Sequence, residues 1–66
     1  MKFVYLLVNG GDWEDMAIYL TDQEAIQASI KYKNVRIEIF SKHPNHGYLP
    51  TYSYYENGKL YKYSDK

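Results

Sequence analysis

The 66-residue sequence contains no cysteine. A disulfide scaffold, a thiolate zinc site and a cysteine nucleophile are therefore excluded. Long apolar runs are also missing, since the longest extends only from Phe3 to Val8, and we expect neither a membrane span nor a signal-peptide core. An excess of positive charge is lacking too, because eight Lys and Arg balance eight Asp and Glu. This balance argues against a dedicated nucleic-acid binder, whose phosphate contacts require surplus cations.

The composition predicts one small globular domain over residues 1–66, with 45% hydrophobic and 24% charged residues. A chain of about 60 residues buries only about 60% of its unfolded surface, so it is marginally stable without a metal, disulfides or a partner. A homodimer or a protein partner is therefore expected.

The two halves of the chain differ in charge. Residues 1–28 carry one Lys and five acidic residues, whereas 29–66 carry seven Lys and Arg and three acidic residues. The two halves either mix in the fold or form a bipolar surface that orients self-association.

The element pattern predicts an α+β fold, with a single helix packed on an antiparallel sheet of about five strands in the order β-β-α-β-β-β. Residues 2–8 have apolar side chains at both odd and even positions, as in a strand covered on both faces. Residues 35–40 alternate between apolar side chains and charged or aromatic ones, as in a half-buried strand. Thr21 to Glu24 form a capping box that begins a helix. We predict strands over 2–8, 16–20, 35–40, 48–56 and 59–63, a helix over 22–33 and a loop over 41–47. The expected core is Val4, Leu6, Ile18, Leu20, Ile26, Ile30, Ile37, Ile39 and Leu60, although the inward parity of the first strand stays open.

Tyrosine is abundant, with nine residues. Asn57-Gly58 predicts a two-residue hairpin turn. It sets Glu56 opposite Lys59 and Tyr54 opposite Tyr61. This register places on one face Tyr52, Tyr54, Tyr61 and Tyr63, extended by Tyr48 and Pro50, and on the core face Leu49, Tyr55 and Leu60.

Three interpretations of this tyrosine face compete. It is an ordinary outer sheet face, a contact surface for a second copy or a partner protein, or a platform on which single-stranded nucleic-acid bases stack, with Lys59 and Lys62 nearby. We favour the contact surface, because the core is small and one sheet face has no helix. Its predicted residues are Tyr48, Tyr52, Tyr54, Tyr61 and Tyr63, with Trp13 as a second anchor.

No pattern indicates catalysis, and we predict a non-enzymatic protein with no catalytic, cofactor-binding or metal-binding residues. His43 and His46 lie in a predicted loop without further ligands nearby in sequence. Asp12, Glu14 and Asp15 form a run too short for a calcium loop, and we read it as an exposed acidic turn. Mimicry of an acidic ligand by these carboxylates is a further alternative.

Three segments, Glu24–Ile26, Val35–Phe40 and Gly47–Gly58, resemble small uncharacterised proteins of the large DNA viruses of amoebae, of the marseillevirus and mimivirus kind. The resemblance covers roughly residues 20–60 and leaves out the first hairpin. It implies a viral origin, an accessory or virion-associated role, and an intracellular location in the virion or the host cytoplasm. It carries over no functional residue.

Overall fold

A computed structural model describes residues 2–8 and 12–62. Its elements are β1 (Phe3–Leu7), a single 3₁₀ turn (Trp13–Asp15), β2 (Ala17–Tyr19), α1 (Asp22–Lys31), β3 (Ile37–His43), β4 (Gly47–Glu56) and β5 (Lys59–Tyr61). The five strands form one sheet in the order β2-β1-β3-β4-β5, and every neighbouring pair is antiparallel. The predicted α+β fold with one helix on a five-stranded sheet is confirmed.

The predicted helix cap is present at Thr21. Its hydroxyl oxygen accepts a hydrogen bond from the Glu24 backbone N–H at 3.2 Å, which satisfies one of the free donors of the first turn. The helix ends at Lys31, two residues before the predicted end. The chain then turns through Asn34, which has a φ of 69°, a left-handed conformation that Asn tolerates.

The predicted loop over 41–47 is wrong at both ends. β3 continues to His43 and β4 already begins at Gly47, so only residues 44–46 form the turn. Ser41 is buried and lies opposite Phe3 on one side and Leu49 on the other. Ladder pairing with two neighbours therefore extends the strand through this polar sequence. The prediction also began β3 too early, at residue 35.

The core lies between α1 and one face of the sheet. Its buried apolar residues are Tyr5, Leu7, Ala25, Ala28, Ile37 and Ile39. Only Ile37 and Ile39 agree with the buried residues predicted from the sequence. Leu7 lies opposite both Ala17 and Ile37, and this register turns the odd-numbered residues of β1 towards the helix.

None of the remaining predicted core residues is fully buried. Val4 and Leu6 point away from the helix, and Ile26 is half buried. The other four are exposed, namely Ile18 (64%), Leu20 (71%), Ile30 (44%) and Leu60 (44%). Small residues allow this arrangement, because Ala25 and Ala28 bring the helix backbone close to the sheet.

A bulge interrupts β4 between its pairing of Tyr54 with Glu38 and its pairing of Pro50 with Phe40. The Thr51 hydroxyl donates to the Ile39 carbonyl at 2.8 Å and accepts from the Ser53 N–H at 3.1 Å. These bonds bridge the place where the ladder is broken. β5 pairs with the part of β4 beyond the bulge.

Candidate interaction surface

The sheet face that points away from α1 is called the open face below. Its side chains form rows across the strands. One row crosses all five strands and consists of Ile18, Leu6, Glu38, Tyr54 and Tyr61. Two shorter rows follow on one side, consisting of Val4, Phe40 and Pro50, and of Lys2, Lys42 and Tyr48. On the other side of the long row, Glu56 lies opposite Lys59 on the same face. Most of these side chains are apolar or aromatic, and the described helix does not cover them.

Tyr54 and Tyr61 form the aromatic end of the long row. Their rings are stacked, with centroids 5.2 Å apart and planes inclined by 18°. The guanidinium of Arg36 lies 4.4 Å from the centroid of Tyr54 and pairs with the Glu38 carboxylate at 3.1 Å. Contacts between neighbouring strands thus hold the two rings in place while Tyr61 stays 43% exposed.

Lys42 is the cation on the open face that lies next to Phe40 along β3. Its ammonium lies 5.4 Å from the centroid of the Tyr48 ring, within the range of a cation–π contact. Pro50 lies in the next row and has no N–H to donate to a ladder. The open face therefore carries both charge signs around an apolar centre.

Two other predicted contact residues are not among the side chains of these rows. Tyr52 falls in the β4 bulge with a φ of 69° and is 63% exposed. Trp13 lies on the 3₁₀ turn between β1 and β2 and is 76% exposed. Tyr63 lies outside the described residues.

The sequence analysis did not predict the apolar centre of the open face as part of the contact surface. Val4, Leu6 and Ile18 were predicted to lie in the core, yet they line the open face with Phe40. Phe40 could have indicated this patch. It alternates with the apolar residues of its strand and so points to the same side as Arg36 and Glu38. An aromatic residue on the polar parity of a strand indicates that this side also contains an apolar patch.

Two further tyrosines lie on the helix side. The rings of Tyr5 and Tyr55 have centroids 6.1 Å apart. Burial raises the pKa of both phenols above the ordinary value of 10.0, and nearby negative charge, including that of Asp22, adds to this effect. These residues belong to the core and its edge, in contrast to Tyr54 and Tyr61 on the open face.

The cavities of the described chain are open grooves. One of about 370 Å³ lies on the helix side of the sheet, beside the part that α1 leaves uncovered, and Phe3, Thr51, Leu60 and Lys62 are among its lining residues. Its one charged lining residue is Lys62, and no pair of acid and base groups converges there. This groove offers a shallow apolar depression without an arrangement for catalysis.

The histidines and the acidic turn stay apart from one another. His43 Nε2 lies 3.3 Å from the Ser41 hydroxyl, and His46 lies in the turn that follows β3. Within residues 2–8 and 12–62, no group of three or more His, Asp or Glu side chains could hold a metal ion. In the same part of the chain, no helix has the length and apolar character needed to cross a membrane.

Comparison with known proteins gave no match to a family model, to a curated protein or to a solved structure.

Proposed function

We propose that this protein is a small non-enzymatic interaction module that self-associates through the open face. The observation that carries the proposal is the row across all five strands, which ends in the stacked pair Tyr54 and Tyr61. Tyrosine and phenylalanine are enriched at protein contacts, because they bury a large apolar area at a small cost in side-chain entropy.

The small core supports the same proposal. Two of its six buried apolar residues are alanines, so much of the large apolar surface of the chain lies outside it. Ile18 is 64% exposed at one edge of the open face, and Tyr61 is 43% exposed at the other. A second copy laid on this face would remove that surface from water, at about 25 cal/mol per Å² of apolar area.

The resemblance to small proteins of large DNA viruses of amoebae adds a biological setting to the proposal. In that setting, the module acts as an accessory or virion-associated protein, in the virion or the host cytoplasm.

Stacking of single-stranded nucleic-acid bases on the same tyrosines is the second candidate. The ring of Tyr54 already contacts Tyr61 and the guanidinium of Arg36, and these contacts compete with a base for the same ring. The chain also has no net positive charge. Both observations favour protein contact over nucleic acid.

Light scattering tests the proposal. The molar mass of the wild type is measured across micromolar concentrations beside the variant Tyr54→Ser/Tyr61→Ser. We expect the wild type to form a dimer and the variant to remain a monomer, because the aromatic end of the open face is lost. Tyr32→Ser is the matched control, since Tyr32 is 41% exposed but follows the helix and lies off the open face.

A wild type that remains a monomer at every concentration contradicts self-association. Single-stranded RNA is then titrated at several salt concentrations. Binding that weakens steeply with salt and is lost on replacing Lys59 and Lys62 would establish the second candidate.

A further inference from the structure

We infer that two copies meet with their β3 strands antiparallel across the interface, with Phe40 at the two-fold axis and Glu38 of each copy against Lys42 of the other. This inference rests on the proposed self-association through the open face. It adds the orientation of the partner and the charges that select it.

The position of Phe40 makes it the centre of the surface. β3 is the middle strand of the five, and Phe40 is the middle residue of Ile37–His43. A partner centred on Phe40 therefore overlaps the largest part of the open face, and the row of Val4, Phe40 and Pro50 lies against its own copy. The centre of this interface is apolar, as in other specific protein contacts.

The charges around this centre are arranged with opposite signs. Glu38 precedes Phe40 by two residues and Lys42 follows it by two, so all three side chains share the open face. Glu38 carries a negative charge and Lys42 a positive one. Reversing the direction of β3 therefore exchanges the signs on either side of Phe40.

A second copy can lie on the open face with its β3 strand parallel or antiparallel to the first. Only the antiparallel orientation places opposite charges together. An isologous contact between two sheet faces has its two-fold axis in the plane of the interface. An axis along the strands sets Glu38 against Glu38 and Lys42 against Lys42, and like charges placed together in an interface cost several kcal/mol. An axis across the strands sets each Glu38 against the other copy's Lys42.

The dimensions allow the contact. Glu38 and Lys42 each lie about 6.6 Å along the strand from Phe40, and packed sheets are separated by about 10 Å. Extended Lys and Glu side chains from opposite sheets cross that gap together, also when the sheets are rotated by about 30°. Arg36 already pairs with Glu38, so the carboxylate would lie between two cations.

The size of the face sets the expected affinity. Five strands about 4.8 Å apart and seven residues of β3 outline a patch of about 24 by about 23 Å. Its projected area of about 550 Å² is below the roughly 800 Å² per partner of a standard interface. Contacts below the standard size are typically weak and transient, so we expect changes in charge to alter dimerisation measurably.

Charge exchange tests the orientation. Glu38→Lys leaves a cation on either side of Phe40 and Lys42→Glu leaves a carboxylate on either side, so in the inferred orientation each variant sets like charges against each other. We expect either change to weaken the homodimer by about tenfold or more, measured by light scattering. An equimolar mixture of the two variants, and the double variant Glu38→Lys/Lys42→Glu alone, should each regain a dimer within about threefold of the wild type. Lys33→Glu, off the open face, is the matched control.

A mixing experiment separates the two orientations. The sequence has no native cysteine, so Gln27→Cys on the exposed side of α1 provides a single position for donor and acceptor dyes. In the inferred orientation, the wild type and the double variant set like charges together, and energy transfer between them should be weak. Strong transfer between these two proteins would establish the orientation with the axis along the strands and overturn the inference.

The remaining outcomes are also distinct. A wild-type dimer that Tyr54→Ser/Tyr61→Ser abolishes but neither charge change weakens overturns the inference and leaves the proposed function standing. A wild type that never dimerises overturns both. A folded double variant that fails to dimerise, with its circular dichroism unchanged, also overturns the inference.

Discussion

Ser29 joins the helix to the β4–β5 turn, and its replacement by Ala gives the most direct test of how this fold is held together. The side chain is fully buried. Its hydroxyl donates to the Ile26 carbonyl at 2.7 Å and accepts from the Gly58 N–H at 2.9 Å. The second bond connects residues 29 positions apart in the sequence. The change Ser29→Ala removes it and leaves the Gly58 N–H without this acceptor.

Two opposing contributions determine how much Ser29→Ala changes the free energy of unfolding. Leaving a buried donor unsatisfied costs about 1–3 kcal/mol. Ala favours the helix over Ser by roughly 0.5 kcal/mol, which offsets part of this cost. The expected loss in the free energy of unfolding is therefore about 1–2 kcal/mol. A chain of this length has a total of about 3–10 kcal/mol, so the change is readily measured.

Urea unfolding measures the loss. The experiment is done in the Tyr54→Ser/Tyr61→Ser background, so that dissociation of a dimer does not contribute to the apparent stability. Gln27→Ala, an exposed change on the same helix, is the control and should leave the free energy of unfolding unchanged within about 0.5 kcal/mol. Hydrogen exchange of the Gly58 amide should become faster in Ser29→Ala. If Ser29→Ala unfolds at the same urea concentration as the control, the reasoning is refuted.

Three further predictions concern the turn, the buried phenols and the exposed indole. Gly58→Ala should lower the free energy of unfolding by about 1–2 kcal/mol in urea, because Gly58 has a φ of +81° and an added Cβ would lie 3.1 Å from Ile30 Cγ1; an unchanged midpoint would contradict this. Stability should fall as the pH rises above 10.0, the ordinary tyrosine pKa, because the folded state holds the Tyr5 and Tyr55 protons to higher pH than the unfolded state does. Unfolding followed across pH should show this fall, and Tyr5→Phe and Tyr55→Phe should each reduce it. Trp13→Ala should leave self-association unchanged in light scattering, because Trp13 lies on the 3₁₀ turn and not in the rows of the open face, and should change stability by no more than about 0.5 kcal/mol, because it is 76% exposed; a weakened dimer would add Trp13 to the contact surface.

The second hairpin could be predicted in detail because its turn is specified locally. Asn57 and Gly58 have φ values of 53° and 81°, the left-handed pair that a two-residue turn requires. The predicted pairing of Glu56 with Lys59 and of Tyr54 with Tyr61 is confirmed. The helix start at Thr21 was predictable for the same reason, since a capping side chain acts within one turn.

The faces of the first hairpin could not be predicted, because β1 is apolar on both parities. Which parity faces the helix is decided by long-range pairing, chiefly of Leu7 with Ile37. A shift of one residue exchanges the two faces of a strand. The error in β1 extended to Ile18 in β2, because its partner Leu6 lies on the open face.

The candidate surface was accordingly predicted along the second hairpin, at Tyr48, Pro50, Tyr54 and Tyr61, and not at its apolar centre. Tyr54 and Tyr61 depended on the local turn, whereas the apolar centre around Phe40 depended on which face of β1 is open. The place of Tyr52 in a bulge could not be predicted for another reason. A bulge held by Thr51 and Ile39 leaves no periodic signal in the sequence.

The division of apolar side chains between the two faces ties folding to association in this chain. A single ten-residue helix packs through Ala25, Ala28 and Ser29, and it covers only one face of a five-stranded sheet. Enlarging these residues to bury more surface would push the helix away from Ile37, which is fully buried, because cores at native packing density do not absorb extra volume without strain. Among the described residues, the open face is a large apolar surface at which a further layer could be added without moving the helix. In the proposed dimer, a second copy laid across Phe40 would supply that further layer with complementary charge, and the pair would have a helix–sheet–sheet–helix arrangement.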